Sequence, residues 1–333
     1  MTPTAEPDPR PGFLSDEFLQ EILAEPESDH PRRVYADWLA ERGDPRGEFI
    51  AVQCELARAF DFQLAAREQQ LLREHGPRWI AELGVPPRRR SMPGEIPQVV
   101  FRRGFAERVE VEIGELARID FARLPVGHLV VVGLRDGNIG ELVAVPAIAG
   151  VTRVGLRNAH LKARNLRRLA EAALVVRAER LAFHHGVMND VSELAAMELP
   201  AVRSLHLDCA NLRNVHVLAR GAWLQQLRAL RIRDTHWLPV SQLLRARGLA
   251  ALRELTIETN LNTSDLVELA SSSFAELRHL EVALGYSDDQ AVTAFARTKG
   301  FAKLERFVVR GALPDEQRAA LHARWGDIVA IQR

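Results

Sequence analysis

The feature that most constrains this chain is a short apolar pattern that keeps returning. VRSLHLDCANL from Val202, LRALRIRDTHW from Leu227, LRELTIETNL from Leu252 and LRHLEVALG from Leu277 all begin apolar-x-x-apolar-x-apolar. Weaker copies are LVVVGLRDGNI from Leu129, VTRVGLRNAHL from Val151, AERLAFHHG from Ala178 and LERFVVRGAL from Leu304, and AERVEVEIG from Ala106 opens the series. With the second apolar residue as marker, the copies fall at Val109, Val132, Val154, Leu181, Leu205, Leu230, Leu255, Leu280 and Phe307. The steps are 23, 22, 27, 24, 25, 25, 25 and 27 residues. Self-similarity at a period of this size is the mark of a solenoid.

The spacing has a simple physical reading. On a short strand the marker and the residue two places later point the same way, so both enter the core. The residues between strands must return along the outside. They carry helical patterns, as in Asn165–Ala170 and Thr263–Ala270. Neighbouring strands sit at ~4.8 Å while packed helices need ~8–10 Å, so such a stack curves with its strands inside. The expectation is an α/β solenoid, a horseshoe arc of about nine parallel strands, one per marker.

These copies resemble the leucine-rich-repeat superfamily in a degenerate form, over residues 105–313. The Asn or Cys usual after the strand is kept only at Asn211 and Asn260, with Gly, Thr or Ala elsewhere. The resemblance implies a preformed recognition surface, without naming a ligand.

Ahead of the array the texture changes. Residues 1–12 hold four prolines and no apolar period, and read as a disordered tail. Residues 13–84 read as a small all-α domain. A first helix is capped at Ser15 and stopped at Pro26. A second is capped at Asp29, with Val34, Trp38 and Leu39 inward and Gly43 beyond its end. A third starts near Arg46, and a fourth ends at Gly76-Pro77. Residues 85–104 read as a connector, and 105–333 as the repeat array with a C-terminal cap. The string FLQEILAEPESDHPRRVYADWLAERGDPRGEFIAVQ, from Phe18 to Gln53, is similar to the bacterial repeat-companion domain found ahead of repeat arrays in planctomycete and myxobacterial proteins. That likeness implies a domain plan and no particular chemistry.

Composition narrows the function classes. Basic and acidic residues balance at 44 each, which argues against a protein whose main task is gripping nucleic acid. Only three of the basic residues are lysines, a bias that GC-rich codons produce without selection for anion binding. The two cysteines, Cys54 and Cys209, do not have a disulfide or zinc-site spacing. The polar start lacks a basic-then-apolar leader, and no apolar run reaches ~18–20 residues. The expectation is a cytoplasmic protein with no membrane span and no cofactor.

Candidate chemistry is thin. The charges from Asp29 to Glu48 include Arg33–Asp37 and Asp37–Glu41 at i,i+4, the spacing of surface pairs on one helix face. His184 and His185 are adjacent, so on a straight strand they point to opposite faces and cannot share a metal. Cys209 follows His206 and Asp208, but alternation turns it away from both. The stronger pattern is on the face opposite the core. In the assigned register that face presents Arg135, then Arg153 and Arg157, Arg180 and His184, His206 and Asp208, Arg231 and Arg233, Glu254 and Glu258, and Glu281. It is basic along its first half and acidic at the seventh and eighth strands. The expectation is a non-enzymatic module that binds a protein on this concave face. Two alternatives stand beside it: a substrate-selecting subunit with its activity in the helical domain, and an inhibitor or immunity-type protein.

Overall fold

A computed structural model describes residues 16–25, 27–86, 97–119, 121, 126–187, 190–210, 212–234, 238–272, 274–284, 289–298 and 300–332. The 1–12 tail, the Ser15 cap, the stop at Pro26 and Asn211 lie outside them. The chain divides into two compact units. The first comprises Met1–Val111, Glu115–Leu129 and Ile148–Val151; the second comprises Glu112–Gly114, Val130–Ala147 and Thr152–Arg333.

The first unit opens with helices α1 (Asp16–Ala24), α2 (His30–Ala40), α3 (Pro45–Arg58) and α4 (Phe62–Glu82). Their ends have local causes. Gly43 takes φ +68° after α2, a left-handed conformation that glycine adopts without strain. The Asp44 carboxylate accepts the Arg46 N–H at 2.9 Å and caps α3, whose first residue is Pro45. The Asp61 carboxylate accepts from the Gln63 and Leu64 N–H groups and caps α4.

Three expectations fail here. Asp29 makes no side-chain cap to α2; its carboxylate lies instead 3.4 Å from Arg58 and 3.3 Å from Arg103. Val34 is exposed, because α2 turns Tyr35, Ala36 and Leu39 inward. Helix α4 runs past Gly76-Pro77 to Glu82. Proline removes one helical hydrogen bond, but the extra turn seats Trp79 against Phe49 with ring centroids 4.8 Å apart. That aromatic burial offsets the loss.

The 85–104 segment is more than a connector. It contributes β1 (Val99–Arg102), which pairs antiparallel with β2 (Phe105–Glu112). The helices pack on this hairpin. Phe105 joins a core of Ile22, Tyr35, Ala36, Leu39, Ile50 and Cys54, while Phe101 lies against Phe49 and Trp79. The Gln53 side chain accepts the Gly104 N–H at 2.6 Å and donates to the Phe101 carbonyl at 3.3 Å. Gly104 sits at φ +85°, and a Cβ there would lie 2.2 Å from Ile50 Cγ1. No other residue fits this turn.

The second unit carries the repeats. Its strands are β3 (His128–Val132), whose first two residues belong to the first unit, β4 (Arg153–Arg157), β5 (Arg180–Val187), β6 (Ser204–Ala210), β7 (Ala229–Arg233), β8 (Glu254–Leu261), β9 (His279–Leu284), β10 (Arg306–Arg310) and β11 (Val329–Gln332). The sheet is open, with eleven strands in chain order, and from β4 to β11 every pair is parallel. The excess over the expected nine is β1, drawn from the connector, and β11, formed by the last residues. Between strands the chain returns through short α and 3-10 turns more than through long helices. The longest, Asp315–Trp325, lies between β10 and β11, and Thr263–Ser271 begins with a capping box of Asn262 and Asp265.

From Val154 onward the marker register holds residue for residue: Val154↔Leu181, Leu181↔Leu205, Leu205↔Leu230, Leu230↔Leu255, Leu255↔Leu280 and Leu280↔Phe307. All are 2% exposed or less. Their partners two places on, Leu156, Phe183, Leu207, Ile232, Ile257, Val282 and Val309, are equally buried. Burying each such side chain is worth ~1.5–3 kcal/mol.

The marker on β3 is misassigned by three. The Gly133 N–H donates to the Arg157 carbonyl just as the Asn158 N–H donates to His184, so Val132 is level with Arg157 and Leu129, not Val132, is level with Val154. The confusion comes from composition: every residue from Leu129 to Val132 is apolar and buried, so alternation leaves no trace.

Candidate interaction face

The register fixes three rows of side chains on the face opposite the core. One row runs Arg153, Arg180, Ser204, Ala229, Glu254, His279, Arg306. The middle row runs Gly155, Ala182, His206, Arg231, Thr256, Glu281, Val308. The third runs Arg157, His184, Asp208, Arg233, Glu258 on β4 to β8, and continues with Ala283 opposite Arg310.

Eleven of the twelve residues expected on this face stand in these rows. Arg135 does not. It is exposed in the loop after β3 and bridges His160, which bridges Val187 in turn. The β3 register error placed it on the face, where Val132 stands instead.

The turn leaving β3, β4 and β5 is one repeated device. Gly133, Asn158 and His185 occupy equivalent positions, each with positive φ, at 78°, 52° and 51°. Asn and Gly accept this conformation readily; His185 does so at some cost. It is the residue skipped where the β5–β6 register shifts between His184 and Gly186. The straight alternation assumed for His184 and His185 therefore breaks at this bulge, with His184 half-buried on the face and His185 exposed. Among the described residues, no group of three or more His, Cys, Asp or Glu side chains is placed to hold a metal ion.

On β6–β10 the charges of the face largely pair with one another. Glu258 takes Arg231 at 2.5 Å and Arg233 at 3.4 Å, Arg233 also reaches Asp208 at 3.9 Å, and Glu281 takes Arg310 at 2.5 Å. His279 lies 3.9 Å from Glu254. The acidic band expected at the seventh and eighth strands is thus largely neutralised by arginines from adjacent coils. On β4 and β5 the face positions hold three arginines, one histidine, Gly155 and Ala182, with no carboxylate.

His206 reports the field beside that cluster. Burial first, then Arg180, Arg231 and His184, push its imidazole down to about 4, so the ring is neutral near pH 7. Its Nε2 lies 3.3 Å from the Ser204 hydroxyl. Cys209 points to the core, and burial pushes its thiol up to about 12; Cys54 is pushed up to about 11 for the same reason. Neither is a nucleophile as it stands.

The charged string of the helical domain is occupied by structure. Arg33 turns to Glu55 instead of Asp37, Arg46 binds Glu82, Arg67 holds Glu48 through two hydrogen bonds, and the Arg42 guanidinium stacks 3.8 Å over Trp38. Gly47 lets α3 cross α2 closely, since a Cβ there would lie 2.5 Å from the Ala36 carbonyl oxygen.

Sequence reasoning missed the polar residues that tie coil to coil. Buried Asp265 accepts the Val240 and Ser241 N–H groups, Asp234 accepts Leu212 N–H at 2.7 Å, and the Trp223 indole donates to Leu194 at 3.0 Å. Their signal is weak: each follows the strand at a variable distance.

Comparison with known proteins adds little. No protein-family description matches the chain, and neither does any curated protein. Solved structures do match, among them an internalin (inlF) from Listeria monocytogenes. It is 11% identical, with a TM-score of 0.31 over 62% of this chain and 68% of that one. A score that low bears on neither fold nor function. The repeat sheet stands on its own strand pairing. No helix among the described residues is long and apolar enough to cross a membrane.

Proposed function

We propose that this chain is a non-enzymatic protein-interaction module that holds its partner on the solvent face of the parallel sheet, the face expected to be concave. The observation that carries the reading is the division of labour in each strand. Two positions are locked into the core, while the three between and beside them vary freely and carry Arg153, Arg157, Arg180, His184, His206, Asp208, Arg231, Arg233, Glu254, Glu258 and Glu281. A rigid framework with variable side chains offers a preformed surface, which lowers the ordering cost of binding. In this reading the helical domain is a structural companion, since its distinctive residues are spent on caps, ion pairs and close helix packing.

The test is capture of the partner from native lysate, followed by two sets of charge reversals. One replaces Arg153, Arg157 and Arg180 by Glu; the other replaces Glu254 and Glu281 by Arg. The proposal expects at least one set to release the partner with circular dichroism unchanged. A partner retained by both places recognition elsewhere.

A further inference from the structure

Among the described residues, the most exposed large apolar groups are not on the sheet face. They stand on the turn between α3 and α4, where Phe60 and Phe62 are 70% and 83% exposed. We infer that this turn docks into a cavity on the repeat unit of a second copy of the chain. Copies then associate head to tail, through a contact separate from the proposed partner face.

The turn is a built knob. Asp61 caps α4 through one carboxylate oxygen, Oδ1, which accepts the Gln63 and Leu64 N–H groups at 2.8 and 2.9 Å. The two flanking rings meet edge to face with centroids 4.9 Å apart, yet both stay mostly in water. Ala57 and Ala59 beside them are exposed as well. Each ring carries ~150–250 Å² of surface to bury, and exposed apolar surface held together in this way marks an interaction site.

The repeat unit offers a socket of matching size. Between the return segments that follow β7 and β8 lies a cavity of about 230 Å³, whose apolar lining is Leu244, Leu249 and Phe274. All three are buried. An apolar cavity of ~150 Å³ already takes a benzene ring, so this one has room for a phenyl group.

Charge complements shape. At the mouth Arg245 is held by Glu268, whereas Arg247 is exposed and has no ion pair among the described residues. In the knob, no described residue engages Asp61 Oδ2, because both capping bonds use Oδ1. A ring seated in the cavity brings the neighbouring carboxylate to the mouth, where Arg247 is the cation open to it. The same carboxylate argues against a lipid surface, since sinking both rings into hydrocarbon would bury the anion between them.

Two rings offer far less than the ~800 Å² per partner of a standard interface, so the contact is weak and reversible. Knob and cavity are different patches, which makes the contact heterologous and lets it extend beyond a dimer.

Sedimentation velocity of the full chain from about 1 to about 300 μM tests this, over a range suited to small, transient interfaces. The average mass should rise with concentration and pass that of a dimer. One double variant, Phe60→Ser with Phe62→Ser, removes the knob. Another, Arg247→Glu with Ser271→Trp, closes the cavity, because Ser271 is exposed at the same mouth. Each should stay monomeric, with the circular dichroism of the wild type. Mixed in equal amounts, they should form a dimer and stop, because only one intact knob meets one intact cavity. Asp61→Asn, which keeps the cap, should weaken association by about threefold to tenfold and reduce its sensitivity to salt.

A wild type that stays monomeric throughout would leave the turn to a lipid or to a different protein and overturn the inference. So would association by the knob variant, or a mixture that remains monomeric. A cavity variant that dimerises by itself would assign the contact to symmetric pairing of the rings, which also overturns it. None of these substitutions touches the partner face, so failure here leaves the proposed function standing.

Discussion

The two units of this chain use their charged residues in opposite ways. In the helical unit the most distinctive stretch, from Tyr35 to Ile50, is consumed by architecture: Asp44 caps a helix, Gly47 permits close crossing, Arg46 and Arg42 brace Glu82 and Trp38. In the repeat unit the distinctive residues are the apolar ones, which recur, while the charged residues on the face change from coil to coil. A long, specific string marks a part that must be built one way. Positions left free by a period are where a partner can be specified.

That contrast can be broken at several points. In the repeat unit Leu205→Ala should cost roughly 2–5 kcal/mol, because Leu205 is 1% exposed and packs between Leu181 and Leu230. Denaturant midpoints measure it, and an unchanged midpoint would refute the register. In the helical unit the sensitive point is a backbone position. Gly104→Ala should cost roughly 2–4 kcal/mol, since it combines a positive φ with a collision against Ile50. Should Gly104→Ala melt like the wild type, the hairpin does not share the helical core.

A pH titration sharpens the same comparison. His206 ionises near 4 in the fold and near 6.5 when unfolded. The folded chain binds fewer protons than the unfolded one between those values, so the stability that the neutral ring contributes is full above pH ~6.5 and is lost as pH falls toward ~4. The expected loss is roughly 1–3 kcal/mol, and His206→Gln should flatten that part of the stability profile. A slope identical in wild type and variant assigns the effect to other groups. The smallest effect expected is Asp44→Ala, at about 1 kcal/mol for a lost helix cap.

The repeats were legible because two buried positions in every strand repeat at a nearly constant step. Legibility failed where composition erased that contrast. Leu129 to Val132 are all apolar, so the frame slipped by three and carried Arg135 onto a face it does not occupy. It failed again at the edges. Val99–Arg102 and Val329–Gln332 are only four residues each, and their strand character comes from neighbours already in the sheet. On the candidate face, the basic cluster of β4 and β5 was visible in sequence. The neutralisation of Glu258 and Glu281 was not, because it depends on arginines 25 or more residues away that only register brings alongside.

The central claim is that the sheet face, not the helical unit, holds the partner. Titration calorimetry of the captured partner against two charge-reversed variants tests it most directly. One carries Arg153→Glu, Arg157→Glu, Arg180→Glu, Glu254→Arg and Glu281→Arg together on the face; the other carries Asp37→Arg and Glu41→Arg on the exposed side of the helical unit. The account predicts that the face variant loses binding while melting as the wild type does, and that the helical variant binds normally. Binding lost in the helical variant and kept in the face variant would contradict it.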